Sequence, residues 1–183
     1  METRILVPLD GSPLAEQALS CAVTLGRGLP AELVLLRAES VPWRYLESAA
    51  VKESDLLEQI ELEANDYLQG VADQVRQAGL SVQTVVQHGP ASEAIVDYAE
   101  QMDIWLIIMA THGYGGIKRW THGSVAERVL QAASVPVLMV RAQEEHAEDV
   151  RQLTLCRRIL VPLDSSEMAE QVLSPVRSVA QAV

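Results

Sequence analysis

The sequence predicts an α/β fold, a doubly wound five-stranded parallel sheet with helices on both faces. Three observations carry that expectation. Short, almost wholly apolar runs recur along the chain, as in strands covered on both sides. Between them lie longer stretches whose apolar residues fall at three- and four-residue intervals, the signature of an amphipathic helix. Glycine- or proline-bearing turns separate the two kinds of segment, so strand and helix alternate, and each helix can carry the chain back to begin another parallel strand.

Taken in order, Ile5–Leu9 is the first apolar run and ends at Asp10-Gly11-Ser12-Pro13. Ser12 suits the cap of a helix with Pro13 in its first turn, and Ala15, Ala18, Leu19, Ala22 and Val23 form a stripe reaching about Leu25, with Gly26 and Gly28 marking the end. A second strand is expected at Glu32–Ala38. After Pro42 and Trp43, a long amphipathic helix runs from about Lys52 to Ala78 and stops at Gly79. Ser81–Gln87 alternates like a strand, His88-Gly89-Pro90 turns, and Ala91–Glu100 reads as helix. Ile104–Ala110 is the next buried strand. A glycine-rich loop over Thr111–Gly123, a helix over Ser124–Ala133 and a strand over Val135–Arg141 complete the pattern.

Composition narrows the function. The 183 residues are 49% hydrophobic and 21% charged, enough to bury an ordinary core, and the formal net charge is −11. Such an excess of acid disfavours nucleic acid and anionic membrane surfaces as partners. No apolar run approaches the roughly 20 residues that span a bilayer, and Met1-Glu2-Thr3-Arg4 leads directly into a strand, so a cytoplasmic protein is expected. Cys21 and Cys156 are too few and too far apart for a disulfide framework or a cysteine-rich zinc site. His88, His112, His122 and His146 are dispersed, so no metal site is read.

The chain also repeats itself. Arg4–Ser20 aligns with Arg158–Ser174, identical at 13 of 17 positions, including the exposed-type pairs Glu16/Glu170 and Gln17/Gln171. The expected organisation is a first domain at 1–142, a polar acidic linker at 143–157, and at 158–183 the first strand and helix of a truncated second repeat.

In a sheet of this kind ligands bind beyond the carboxyl ends of the strands, where strand order reverses. The stretch from Met109 to Ser124 follows the fourth strand and holds Gly113, Gly115, Gly116 and Gly123. Glycines let successive N–H groups converge on an anion, and a helix opening at Ser124 presents further unpaired N–H groups. Ser124-Val125-Ala126-Glu127 is equally a capping box that needs no ligand, so phosphate binding and ordinary turn structure both remain open from the pattern alone.

These residues resemble the universal stress protein family. The resemblance rests on Ile5-Leu6-Val7-Pro8-Leu9-Asp10-Gly11-Ser12, on Ala110-Thr111-His112-Gly113, on Gly123-Ser124-Val125-Ala126-Glu127-Arg128-Val129 after nine intervening residues, and on Val135-Pro136-Val137-Leu138-Met139-Val140. It spans about residues 3–142 and restarts at 157. Nucleotide-binding members carry G-x2-G-x9-G-[ST], which this chain matches at Gly113, Gly123 and Ser124, with Ala110 in place of the first glycine.

The resemblance implies a Rossmann-like, adenine nucleotide alpha-hydrolase-like fold and ATP as ligand, with Mg2+ as an accompanying ion. Pro8, Leu9 and Asp10 would line the adenosine site, Asp10 near the ribose. Ala38 would offer backbone groups to the adenine edge, Met109 and Ala110 would pack beside the nucleoside, and Gly113, Gly123, Ser124 and Val125 would surround the phosphates. It implies a stress-response binding and signalling module with at most slow ATP hydrolysis, assembled as a homodimer about the last strand. No catalytic residue is assigned, because Ser124 lacks an evident activating base and neither a Walker loop nor G-x-G-x-x-G is present. Two other classes fit the same sequence: a nucleotide-free dimerising interaction module, and a phosphohydrolase or nucleotidyl-transfer enzyme on the same fold.

Overall fold

A computed structural model describes residues 3–40, 53–112, 125–142 and 158–183. Five strands alternate with helices: β1 (Thr3–Pro8), α1 (Pro13–Gly28), β2 (Ala31–Glu39), α2 (Glu53–Gln77), β3 (Val82–His88), α3 (Ala91–Gln101), β4 (Leu106–His112), α4 (Val125–Ala132) and β5 (Val137–Ala142). Two further helices, α5 (Glu167–Glu170) and α6 (Leu173–Ala182), follow. All strand pairs are parallel, in the order β3-β2-β1-β4-β5. The doubly wound parallel sheet read from the sequence is therefore the fold, and its order reverses between β1 and β4.

The apolar runs are strands because both their faces are covered. Ile5, Val7, Leu33, Leu35 and Ile108 face one layer, made by α1 and α2 through Leu19, Leu25, Leu68 and Val75. Leu6, Val34, Leu36, Ile107 and Met109 face the other, made by α3 and α4 through Ile95, Tyr98 and Val129. Ile5, Leu6, Leu33, Leu35 and Ile107 are wholly removed from solvent, each worth about 1.5–3 kcal/mol of apolar burial. Arg4 ties the amino edge of the sheet together, its Nε donating to Glu32 Oε2 at 3.3 Å and its Nη1 to the Met102 carbonyl at 3.2 Å. Among the described residues no helix is long and apolar enough to cross a membrane.

The first helix ends at Gly28, one of the two glycines read as marking its end, and Ala182 of α6 lies directly on Gly28, where a Cβ would overlap it. One segment differs from the sequence reading. Arg158–Asp164 forms no strand, although it copies Arg4–Asp10, since no strand pairs with it among the described residues. The helix expected after it is broken into α5 and α6. Pro175 stands where α1 has Cys21 and has no N–H for an interior helical bond, so the continuous helix of α1 is not repeated.

Candidate functional site

The crevice begins with a proline. Trp105 N–H donates to the Arg4 carbonyl at 3.0 Å and Leu9 N–H donates to the Leu36 carbonyl at 2.8 Å, so even-numbered backbone groups of β1 face β4 and odd-numbered ones face β2. Pairing with β2 runs to Pro8↔Leu36, whereas pairing with β4 stops at Leu6↔Ile107. The next N–H on the β4 edge belongs to position 8, and proline has none. The ladder ends there, at the point where strand order reverses, while β4 continues alongside β5 to His112↔Ala142.

On the other side of β1, the backbone of β2 alternates in the same way. Leu36 faces β1, and Glu39 faces β3 by accepting from Gly89 N–H at 2.9 Å. Ala38, between Arg37 and Glu39, therefore turns its N–H and C=O toward the side where β1 has already ended. That is the disposition a planar base edge needs, one donor and one acceptor held by a sheet.

The chain leaves β1 through a tight corner. Asp10 is exposed, and its Oδ1 accepts from Ser12 N–H at 2.9 Å. Gly11 sits at φ +84°, and Ser12 caps α1 by accepting from Ala15 N–H at 3.1 Å. Asp10 thus shapes the turn with one oxygen of its carboxylate, as Asp residues before Gly-Ser-Pro do.

A second group of side chains braces this corner. Arg37 Nε pairs with Glu39 Oε1 at 2.5 Å, and its guanidinium lies 5.2 Å from the centre of the Tyr67 ring. Arg37 Nη1 reaches 3.3 Å from the place a Cβ would occupy on Gly11. The Tyr67 hydroxyl donates to Glu16 Oε1 at 2.9 Å, joining α2 to the first turn of α1. Burial, and then the hydrogen bond and charge of Glu16, push the Tyr67 phenol well above its ordinary value of 10.0, with Arg37 opposing. It is a neutral donor at physiological pH.

The expected site residues converge in part. Pro8, Leu9, Asp10, Ala38, Met109 and Ala110 stand at the carboxyl ends of β1, β2 and β4. Leu9 and Met109 have their side chains in the two cores, 4% and 6% exposed. The Ala110 methyl packs against the core on the α1 and α2 side. It is absorbed by packing where the glycine pattern would leave space. Val125 opens α4 and is 40% exposed. Gly113, Gly123 and Ser124, with Lys118, Arg119 and the capping box at Ser124, lie outside the described residues. Among the described residues no three His, Cys, Asp or Glu side chains come together to hold a metal ion.

Sequence reasoning did not single out Glu16, Arg37, Glu39 or Tyr67. Arg37 carried a legible signal, a charge closing the apolar run of β2. Tyr67 did not, because it falls beside the apolar stripe of α2 and its partners are distant in sequence.

Comparison with known proteins places the chain among relatives of one kind. A model of the universal stress protein family matches residues 1–141. Universal stress protein MJ0531 of Methanocaldococcus jannaschii is 32% identical over 141 residues, covering 75% of this chain and 81% of the relative. Universal stress protein YxiE of Bacillus subtilis is 28% identical over 148 residues, covering 77% of this chain and all (100%) of the relative. Among solved structures, MJ0577 of M. jannaschii superposes with a TM-score of 0.65 at 30% identity, over 79% of this chain and 99% of that one. A universal stress protein in complex with cAMP shares the fold at a TM-score of 0.61 and 19% identity, over 78% and 98% of the two chains.

Proposed function

This chain belongs to the universal stress protein family, and from that premise we propose that it binds an adenine nucleotide, ATP foremost, as a stress-response signalling module with at most slow hydrolysis. The observation that carries the proposal is the crevice at the strand-order reversal, opened where Pro8 ends the ladder to β4, with the backbone of Ala38 turned to the side where β1 has ended. A relative in complex with cAMP and another from Archaeoglobus fulgidus in complex with dAMP support the ligand class.

In this reading the nucleoside end lies at β1 and β2. Ala38 N–H and C=O take the adenine edge, and Asp10, with a carboxylate oxygen left after bonding Ser12, takes a ribose hydroxyl. Pro8, Leu9, Met109 and Ala110 form the floor. Gly113, Gly123, Ser124 and Val125 surround the phosphates at the amino end of α4, whose unpaired N–H groups and dipole favour negative charge. A Mg2+ ion would supply further charge neutralisation on those phosphates. No residue is assigned a catalytic role.

The acidic corner orients the ligand. Glu39 pairs with Arg37, Glu16 accepts from Tyr67 and Asp10 stands at the adjoining turn, so in this reading this end of the crevice favours hydroxyl and amine donors over phosphate. We place the module in the cytoplasm and read it as self-associating, with 1–142 as the nucleotide domain, 143–157 as linker and 158–183 as a partial second repeat. Nucleotide released from purified protein by denaturation and separated by chromatography tests the binding reading. Recovery of an adenine nucleotide, lost in Asp10→Ala with the circular dichroism spectrum intact, is the expected result. Protein that carries none and takes up none overturns it.

A further inference from the structure

Arg37 is a charge where the pattern of β2 calls for an apolar side chain. Leu33 and Leu35 leave the strand toward the α1 and α2 layer and are wholly buried, and Arg37 is the next residue on that face. Its side chain is only 23% exposed, and that of its partner Glu39 only 19%. A half-buried ion pair adds little stability over apolar residues of the same volume, because desolvation offsets the attraction. Stability alone does not account for its place.

Three groups fix the guanidinium. Glu39 Oε1 accepts from its Nε, the Tyr67 ring lies under it with 5.2 Å to the ring centre, and its Nη1 stands 3.3 Å from the place a Cβ would occupy on Gly11. Tyr67 is itself held, its hydroxyl donating to Glu16, and Glu16 N–H donates to the Ser12 carbonyl at 3.3 Å. The turn of Asp10, Gly11 and Ser12 is therefore met from β2 through Arg37 and from α2 through Tyr67 and Glu16. The Asp10 carboxylate is close enough to the Tyr67 phenol to raise its hold on the proton, while Arg37 acts with the opposite sign.

The chain contains a second copy of the turn. At Asp164-Ser165-Ser166, Ser166 N–H donates to Asp164 Oδ1 at 2.9 Å and Ala169 N–H donates to Ser166 Oγ at 3.1 Å. The corresponding bonds at Asp10 and Ser12 are also 2.9 and 3.1 Å, so local hydrogen bonding is enough to form this turn. The middle residue differs. Ser165 carries a side chain at φ +68°, whereas Gly11, at φ +84°, leaves open the side that Arg37 Nη1 approaches. The guanidinium thus serves the placement of the first turn against the sheet, and its formation needs no such help.

We propose that Arg37 is a positioning residue for the sugar of the nucleotide: seated against Gly11, it fixes where the Asp10 carboxylate stands relative to Ala38, the next residue along β2. The proposal rests on the nucleotide reading of the crevice, with Asp10 on a ribose hydroxyl and Ala38 on the base edge. Base and sugar sites are then tied through adjacent residues of one strand. A hydroxyl-to-carboxylate hydrogen bond weakens steeply with misalignment, so its full strength requires a turn held in place before the ligand arrives. Loss of Arg37 costs the crevice its preference for the hydroxyl that Asp10 takes, while the phosphates, at α4 in this reading, keep their contribution.

Calorimetric titration of the 183-residue chain, emptied of nucleotide, with ATP, 2′-deoxy-ATP and 3′-deoxy-ATP tests it in the wild type, Arg37→Gln and Tyr67→Leu, each with native circular dichroism. In the wild type at least one deoxy analogue is expected to bind about fivefold or more weakly than ATP, and in both variants that ratio is expected to fall below about twofold. The ratio is decisive because a general loosening of the fold weakens all three ligands alike. If Arg37→Gln does not fold, Tyr67→Leu, which removes the ring under the guanidinium and leaves its charge, decides by the same ratio. A wild type that binds none of the three overturns the nucleotide reading and this inference with it. A wild type that binds all three equally overturns Asp10 as the sugar ligand, and so this inference. Variants that keep the wild-type ratio, whatever their affinity for ATP, overturn the role of Arg37 alone.

Discussion

The Arg37 guanidinium lies over the Tyr67 ring, 5.2 Å from its centre, and this contact joins the carboxyl end of β2 to α2 beside the turn of Asp10 and Gly11. The two residues are 30 apart in sequence and engage three further residues: Glu39 on β2 holds the guanidinium, Glu16 on α1 holds the phenol, and Arg37 Nη1 comes within 3.3 Å of the place a Cβ would occupy on Gly11. The turn of Asp10 and Gly11 is thereby braced from α1, β2 and α2.

Tyr67→Phe removes the hydroxyl that donates to Glu16 and is expected to cost about 0.5–1.5 kcal/mol by urea unfolding at neutral pH. The pH dependence has a definite sign. Because the folded-state phenol titrates above its ordinary 10.0, the folded protein holds that proton more tightly than the unfolded chain. Its contribution is complete below pH 10 and is lost as pH rises from there toward the folded value. Wild-type stability should fall in that window, and Tyr67→Phe should fall less steeply. Parallel curves would exclude Tyr67 as the source.

Gly11→Ala is expected to destabilise by about 1–2 kcal/mol, since an L side chain at φ +84° is strained. The 3.3 Å approach to Arg37 Nη1 adds less, because that contact is the far end of a flexible side chain. Nucleoside affinity should fall with the distortion of the Asp10 turn, while the increment that each phosphate adds should stay constant. Titration with adenosine and ATP side by side measures both.

Much of the fold was legible because each strand is covered on both faces, so its residues are apolar without alternation, and each intervening helix shows a stripe. The position of the crevice was legible for the same reason: strand order follows from the βα alternation, and Asp10 and Ala38 stand at strand ends. Two features were not. The Arg37–Tyr67–Glu16 bracing joins three elements through single polar contacts that leave no periodic trace. Arg158–Leu163 copies β1 yet pairs with no strand among the described residues, because a strand needs neighbours and a local pattern does not supply them.

Ala110→Gly tests how the chain tolerates a methyl where the family pattern has glycine. The methyl packs into the core, so its removal should cost about 0.5–1 kcal/mol in stability and change ATP affinity less than about threefold. A large gain in affinity would mean that the methyl crowds the nucleotide.

Gly28→Val acts at the opposite end of α1. A branched side chain there collides with the Ala182 backbone, so α6 must leave its seat or shift. The expected loss is about 1–3 kcal/mol, with faster amide exchange over 173–182 and little change over β1 to β5. Unaltered exchange in α6 would show that its seat does not depend on this contact.

The most direct test of the central claim is calorimetric titration of nucleotide-free protein with ATP, with and without Mg2+. The crevice between β1 and β4 predicts saturable binding of one nucleotide per chain with a dissociation constant below about 1 mM, weakened at least about tenfold by Asp10→Ala. Absence of binding at millimolar ATP under both conditions, by protein whose circular dichroism shows the native fold, would contradict it.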